Sequence, residues 1–227
     1  MHETTRRPPL QLWLIAAAVL VVLIGGIPLL PRLLTAGNGA IVLRESVLIL
    51  GSLLMLGIVL RQRTVSPQAL GLRRVRLSTI GWGLACTLGI LLLSVASILT
   101  MRHFGVEQNR AVLGSLGARP IGLLALIALA AAISEEIVFR AIVISHVEAA
   151  SGSTWLAGAV SLTAFAFAHL GGWGWSQVLF AAVPGIVLVG FFIWKRNLAI
   201  VVIAHFLTDL VGLLGAAAAH AQGLQPG

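Results

Sequence analysis

The sequence predicts an all-α, polytopic membrane bundle of about seven spans, and three observations carry that prediction. Hydrophobic residues make up 59% of the 227 positions and charged residues only 10%. Mean hydropathy is +1.03, far outside the balance of a water-soluble domain. Long apolar runs alternate with short segments where charge, Gly or Pro returns. A bilayer core takes roughly 20 helical residues to cross, which leaves room for several spans but not for a sizeable soluble domain as well. The expectation is a single integral membrane domain over residues 1–227.

The first run, Leu10 to Leu30, follows Arg6 and Arg7. It is longer than a signal-peptide core and lacks a small-x-small cleavage site, so it reads as a retained span. The second, Val47 to Leu60, is short and borrows residues from Ile41 onward, which places Arg44 and Glu45 near a membrane surface where they can snorkel. Arg61 to Arg76 carries Pro67, Gly71 and the basic cluster Arg73, Arg74 and Arg76, the pattern of a surface-lying connector. Leu77 to Leu99 is the third span. It holds Cys86, the one cysteine, which therefore forms no internal disulfide and reads as a small packing residue.

Arg102 to Pro120 reads as a polar loop, with Pro120 suited to begin the next helix. The remaining spans are Ile121 to Val147, Trp155 to Leu170, Gln177 to Trp194 and Leu198 to Leu214, followed by an Ala-rich tail at Ala216 to Ala219. Trp13, Trp155, Trp173, Trp175 and Trp194 fall near helix ends, as interfacial aromatics do.

The formal net charge of +8 does not point to nucleic acid, because the basic residues form short clusters between apolar runs, where lipid headgroups are the natural partners. An N-in, C-out arrangement puts Arg6, Arg7, Arg61, Arg63, Arg73, Arg74, Arg76, Lys195 and Arg196 on the cytoplasmic side, against Arg32, Arg44, Arg102, Arg110 and Arg119 outside. A multi-pass position in the cell membrane is the corresponding expectation.

The informative residues are those that lipid should expel: Glu135, Glu136 and Arg140 in the fourth span, His169 in the fifth, and His205 and Asp209 in the seventh. At about 1.5 Å per residue, Glu135 lies roughly 18 Å from the cytoplasmic end of its helix, His169 roughly 21 Å, and His205 and Asp209 roughly 11 and 17 Å. Three helices thus bring polar groups to a similar layer. Glu136 with Arg140, Phe165 with His169, and His205 with Asp209 are each spaced i,i+4 and share a helical face. An intrahelical ion pair explains Glu136 and Arg140, and His205 and Asp209 can satisfy each other, but Glu135 then has no structural reason to be there. His2, His103, His146, Glu148 and His220 fall in tails, loops or at a helix end, where a solvated surface position is expected.

A carboxylate and an imidazole in one poorly hydrated pocket can divide the general base and general acid work on a water molecule, which is hydrolytic machinery. Ser134 adjoins Glu135, but no G-x-S-x-G elbow appears, and Ser161 and Ser176 have no distinctive context. Metal ligation is chemically open to this set, yet no H-E-x-x-H occurs, so neither a metal nor another cofactor is expected.

These residues also resemble a known family. Glu135-Glu136-Ile137-Val138-Phe139-Arg140 is similar to the E-E-x-x-x-R motif of the CPBP family, the CAAX-protease and bacteriocin-processing membrane proteins also called Abi. Phe165-Ala166-Phe167-Ala168-His169 is similar to its F-x-x-x-H motif, and His205-Phe206-Leu207-Thr208-Asp209 to its H-x-x-x-N/D motif, in the family's order. The resemblance spans Ile121 to Leu214, taken as the catalytic core over residues 121–214. It implies a glutamate-dependent intramembrane endopeptidase acting on a peptide or protein substrate. Glu135 and His169 would activate water, His205 and Asp209 would help stabilise the oxyanion, and Glu136 and Arg140 would support and orient the centre. Asp209 stands where the eukaryotic prenyl-protein proteases have Asn, and an ionised Asp opposes a developing oxyanion unless it is protonated or paired with His205. The competing readings are a non-proteolytic immunity or adaptor protein, and a small proton-coupled transporter.

Overall fold

The computed structural model describes residues 37–224, and every regular element among them is helical. The first expected span, Leu10 to Leu30, lies outside the described residues. The other six expected spans are all present as helices long and apolar enough to cross a membrane. In chain order the elements are α1 (Asn38–Gln62), α2 (Leu77–His103), α3 (Arg110–Gly117), α4 (Ile121–Ser151), α5 (Thr154–Ala168), the single turn α6 (Leu170–Trp173), α7 (Trp175–Lys195) and α8 (Leu198–Ala221). The chain is a multi-pass, all-α membrane protein.

Helix α4 sits at the centre, with α1, α5 and α8 packed around it, while α2 lies outside against α7 and α8. Leu124, Ala128, Ala130 and Ala132 are completely buried in its first half, and the small alanines let neighbouring helices approach closely there. From Glu136 to Ile144 the helix widens into a π-helical segment whose nine residues are all buried. Such segments are rare, and the widened turn disturbs the regular ladder of backbone hydrogen bonds. Ser161 of α5 answers that disturbance directly: its hydroxyl donates to the Phe139 carbonyl at 2.7 Å. In lipid a backbone group has no water to turn to, so a neighbouring hydroxyl is worth placing there.

Several boundaries differ from the sequence reading. Helix α1 begins at Asn38 rather than Val47, which carries Glu45 two turns into the bundle. Its inward stripe is Ile41, Glu45, Ser52, Met55 and Val59, while Leu43, Leu50 and Leu54 face outward. Glu45 is buried and does not snorkel to a surface, because its stripe is the one that packs on α4. The expected polar loop from Arg102 to Pro120 contains α3. Asn109 caps this helix by accepting from the Val112 N–H at 3.2 Å, and Val112 and Leu116 pack on Leu124. Gly117 lets α3 meet α8, since a Cβ there would stand 2.5 Å from the Ala216 carbonyl oxygen. The Ala-rich tail is consequently the last part of α8, with Ala216 buried.

The basic connector is exposed at Arg73, Arg74 and Arg76 as expected, but Leu70 pins it into the core. Gly71, at φ +75°, accepts from the Leu198 N–H at 2.9 Å and leaves no room for a Cβ beside Phe192. His146 is also buried rather than solvated. Its Nδ1 donates to the Ile142 carbonyl at 2.8 Å, and Nε2 lies 3.2 Å from the Thr64 hydroxyl. Glu148 is half-buried and bound to Arg196 and Thr154. His103 and His220 are exposed as expected, Cys86 is a buried packing residue, and His2 lies outside the described residues.

Replacing Ser161 with Ala strands the Phe139 carbonyl in a dry core and should lower stability by about 1–3 kcal/mol. Thermal unfolding in detergent measures it, and an unchanged midpoint would mean that the π segment does not depend on this hydroxyl.

Candidate active site

Three apolar helices deliver the polar residues. Glu135 and Glu136 stand where α4 changes from α to π geometry. His169 ends α5, and His205 and Asp209 lie one turn apart on α8. Glu136 and Arg140 are completely buried, with Arg140 Nη1 3.0 Å from Glu136 Oε1. The expected intrahelical ion pair is therefore present, in the π segment rather than in an α-helix. None of the three guanidinium nitrogens is aligned for a hydrogen bond, so charge contact rather than directed bonding holds them. The guanidinium carbon also lies 4.1 Å from the Phe165 ring centroid, a cation–π contact with the helix that carries His169.

Glu136 turns from Arg140 to a second partner. Its Oε1 accepts from His205 Nδ1 at 2.8 Å, joining α4 to α8. His205 is buried, and its other nitrogen faces two more carboxylates: Asp209 Oδ2 at 3.3 Å and Glu135 Oε2 at 3.9 Å. A carboxylate at each side of the ring means that His205 can donate from both nitrogens only as the imidazolium. The pairing of Asp209 with His205 is the arrangement that an acid at this position requires. Asp209 is the more open end of this chain, with a side chain 38% exposed, while Glu135 is 23% exposed. Glu135 Oε2 has no hydrogen-bond partner among the described residues. Glu136 Oε2 is likewise without a hydrogen-bond partner there, but Glu136 is completely buried, so only Glu135 offers a carboxylate at the exposed edge of the network.

His169 joins the group through an aromatic ring and through no direct polar contact. Its Nδ1 lies 2.8 Å from the Phe165 carbonyl, and because a carbonyl only accepts, the proton sits on Nδ1. In the neutral ring that leaves Nε2 as a lone-pair acceptor. The His169 ring packs edge-on against Phe165 with centroids 5.0 Å apart, and Phe165 in turn meets His205 at 6.0 Å and Phe139 at 5.5 Å. Phe165 is thus the post on which Arg140, His169 and His205 rest. Gly185 of α7 backs it, since a Cβ there would lie 3.1 Å from the Phe165 ring.

All six residues picked out by the sequence therefore converge, five through a chain of charged contacts and His169 through Phe165. The sequence reading missed Glu45, which is buried beside Arg44 Nη1 at 2.6 Å and close enough to Glu135 for the two carboxylates to feel each other. Its signal was present as an acid within the extended span from Ile41 onward, but it was read as snorkelling to a membrane surface rather than facing inward. Ser134 is occupied by its own helix, donating to the Ala130 carbonyl at 2.6 Å. Among the described residues no group of three or more His, Cys, Asp and Glu side chains is arranged to hold a metal ion.

Compared with known proteins, residues 117–211 match the family model described as type II CAAX prenyl endopeptidase Rce1-like, a match that covers less than half of the chain. No curated protein and no solved structure matches it.

Cutting a buried ion pair by removing one partner costs about 3–5 kcal/mol, whereas replacing both with apolar residues is often near neutral. Glu136→Leu and Arg140→Met should each destabilise strongly, and the double variant by clearly less than their sum. Unfolding midpoints of the three variants test this, and strict additivity would show that the pair is not coupled.

Proposed function

We propose, from the membership of residues 117–211 in the type II CAAX prenyl endopeptidase Rce1-like family, that this chain is an intramembrane endopeptidase that hydrolyses a peptide bond with a water activated by Glu135 and His169. The observation that carries the reading is the contrast between the two adjacent glutamates. Glu136 is completely buried between Arg140 and His205, while Glu135 is 23% exposed and stands at the edge of the same network.

In this mechanism the Glu135 carboxylate accepts a proton as water attacks the scissile carbonyl, and the Nε2 lone pair of His169 orients that water from the other side. The C–O bond forms, the carbonyl electron pair moves to oxygen, and His205 Nε2–H donates to that oxyanion. Collapse of the intermediate breaks the C–N bond, and Glu135 returns its proton to the leaving amine. Asp209 holds the His205 ring on the Nε2 side, and Glu136 with Arg140 fixes it on the Nδ1 side, so these three are positioning residues. Water is the one co-reactant required, and it reaches Glu135 from the open side of the network, where Glu135 and Asp209 are partly exposed.

The family match supports peptide hydrolysis, with a membrane-associated peptide or protein as the substrate class. Purified protein in detergent should cleave members of a membrane-tethered peptide library. Glu135→Ala and His169→Ala should each lose at least about 100-fold in rate, the ordinary worth of a positioned acid–base group, with unfolding midpoints close to wild type. Chelation should leave the rate unchanged. Cleavage that survives in the folded variants would remove the proposed pair from the chemistry, and cleavage abolished by a chelator would point to a metal-dependent hydrolase instead.

A further inference from the structure

A second polar feature lies at the start of α8, about three turns before Asp209, and takes no part in the proposed chemistry. An open cleft of about 510 Å³ is lined by Arg73, Arg74 and Arg76 of the connector, Trp82 of α2, Lys195 at the end of α7 and Asn197 at the start of α8. Four cations face this space, and its lining contains no carboxylate. The arginine–carboxylate pairs engage Arg44, Arg110, Arg140 and Arg196, so among the described residues no carboxylate pairs with the cations of the cleft. Lys195 is held in place, its Nζ 3.6 Å from the Trp82 ring centroid and 3.5 Å from that of Trp194. That arrangement removes side-chain freedom before any ligand arrives.

The surroundings say what kind of anion fits. On the neighbouring face of α2, Leu77, Ile80, Leu84 and Leu88 form a continuous exposed stripe, spaced at helical periodicity. The cleft therefore stands at the end of a spanning helix, lined by cationic and hydroxyl groups, with an exposed apolar stripe running from its rim along the adjacent face of that helix. We propose that it is a binding site for an anionic phospholipid, its phosphate-bearing headgroup held by Arg73, Arg74, Arg76 and Lys195 and its acyl chains lying along the α2 stripe. Arginine forks suit phosphate oxygens, and a cluster of like charges at a membrane surface attracts anionic headgroups whose acyl chains stay in the bilayer. The site is independent of the catalytic reading, because none of its residues belongs to the Glu135 network.

Native mass spectrometry of the full chain in detergent, titrated with phosphatidylglycerol or phosphatidylcholine, tests this. The wild type should retain phosphatidylglycerol preferentially, and Arg73→Gln/Arg74→Gln/Arg76→Gln should weaken it by about fivefold per arginine removed. Arg73→Lys/Arg74→Lys/Arg76→Lys should keep most of the binding, and Arg102→Gln/Arg110→Gln, at the other end of the bundle, all of it. Equal retention of the two lipids, or equal retention by wild type and the glutamine variant, would overturn the site. Displacement of the lipid by inorganic phosphate alone would also overturn it, identifying a soluble anion as the occupant. A glutamine variant that fails to fold is replaced by Lys195→Gln, which should weaken phosphatidylglycerol by a similar fivefold step.

Discussion

The ion pair between Glu136 and Arg140 governs the rest of the structure, because two complete charges in a membrane interior are tolerable only if their neighbours are built around them. The pair sits in the π-helical stretch of the central helix, and that stretch needs Ser161 to satisfy a backbone carbonyl. Arg140 needs the face of Phe165, and Phe165 needs the space that Gly185 leaves. Glu136 in turn fixes His205. Helices α4, α5, α7 and α8 are thereby tied together at one depth by contacts that tolerate little displacement. The packing that keeps a charge pair in lipid is the same packing that positions an imidazole.

Rigidity on one side of the site is matched by openness on the other. Glu135 and Asp209 are the two acids with appreciable exposure, and both approach His205 from the side away from Glu136. The buried network thus ends in a layer with fixed partners behind and partly exposed acidic side chains in front. Glu45 adds a further acid from α1, outside the segment that matches the family model, so α1 contributes to the electrostatic setting of Glu135 although it carries none of the three motifs. The electrostatic design recurs with opposite sign at the start of α8, where four cations and no carboxylate line a cleft.

Hydropathy made six of the described helices legible, because a span must hide about 20 residues from water whatever its tertiary neighbours are. The residues of the site were legible for the same reason: Glu135, Glu136, Arg140, His169, His205 and Asp209 stood out against apolar helices in which each had to be explained. What the sequence could not show was helix geometry and facing. The π segment depends on the Ser161 hydroxyl, 22 positions away in the chain. The burial of His146 depends on Thr64, and that of Glu45 on the start of α1 at Asn38, which hydropathy alone places too late. Helix α3 was read as a loop because its two core residues, Val112 and Leu116, are few and flanked by polar ones, and its stability comes from Leu124 and Ala216 of other helices.

The central claim is that Glu136 acts on the reaction through His205. A double-mutant cycle on cleavage rate, with Glu136→Gln and His205→Asn made singly and together, measures that coupling most directly. If Glu136 works by holding the ring, removing it once the ring is gone should cost little, and the double variant should be no slower than His205→Asn alone. Losses that simply multiply, in proteins with comparable unfolding midpoints, would show that the two side chains act separately and would contradict the account.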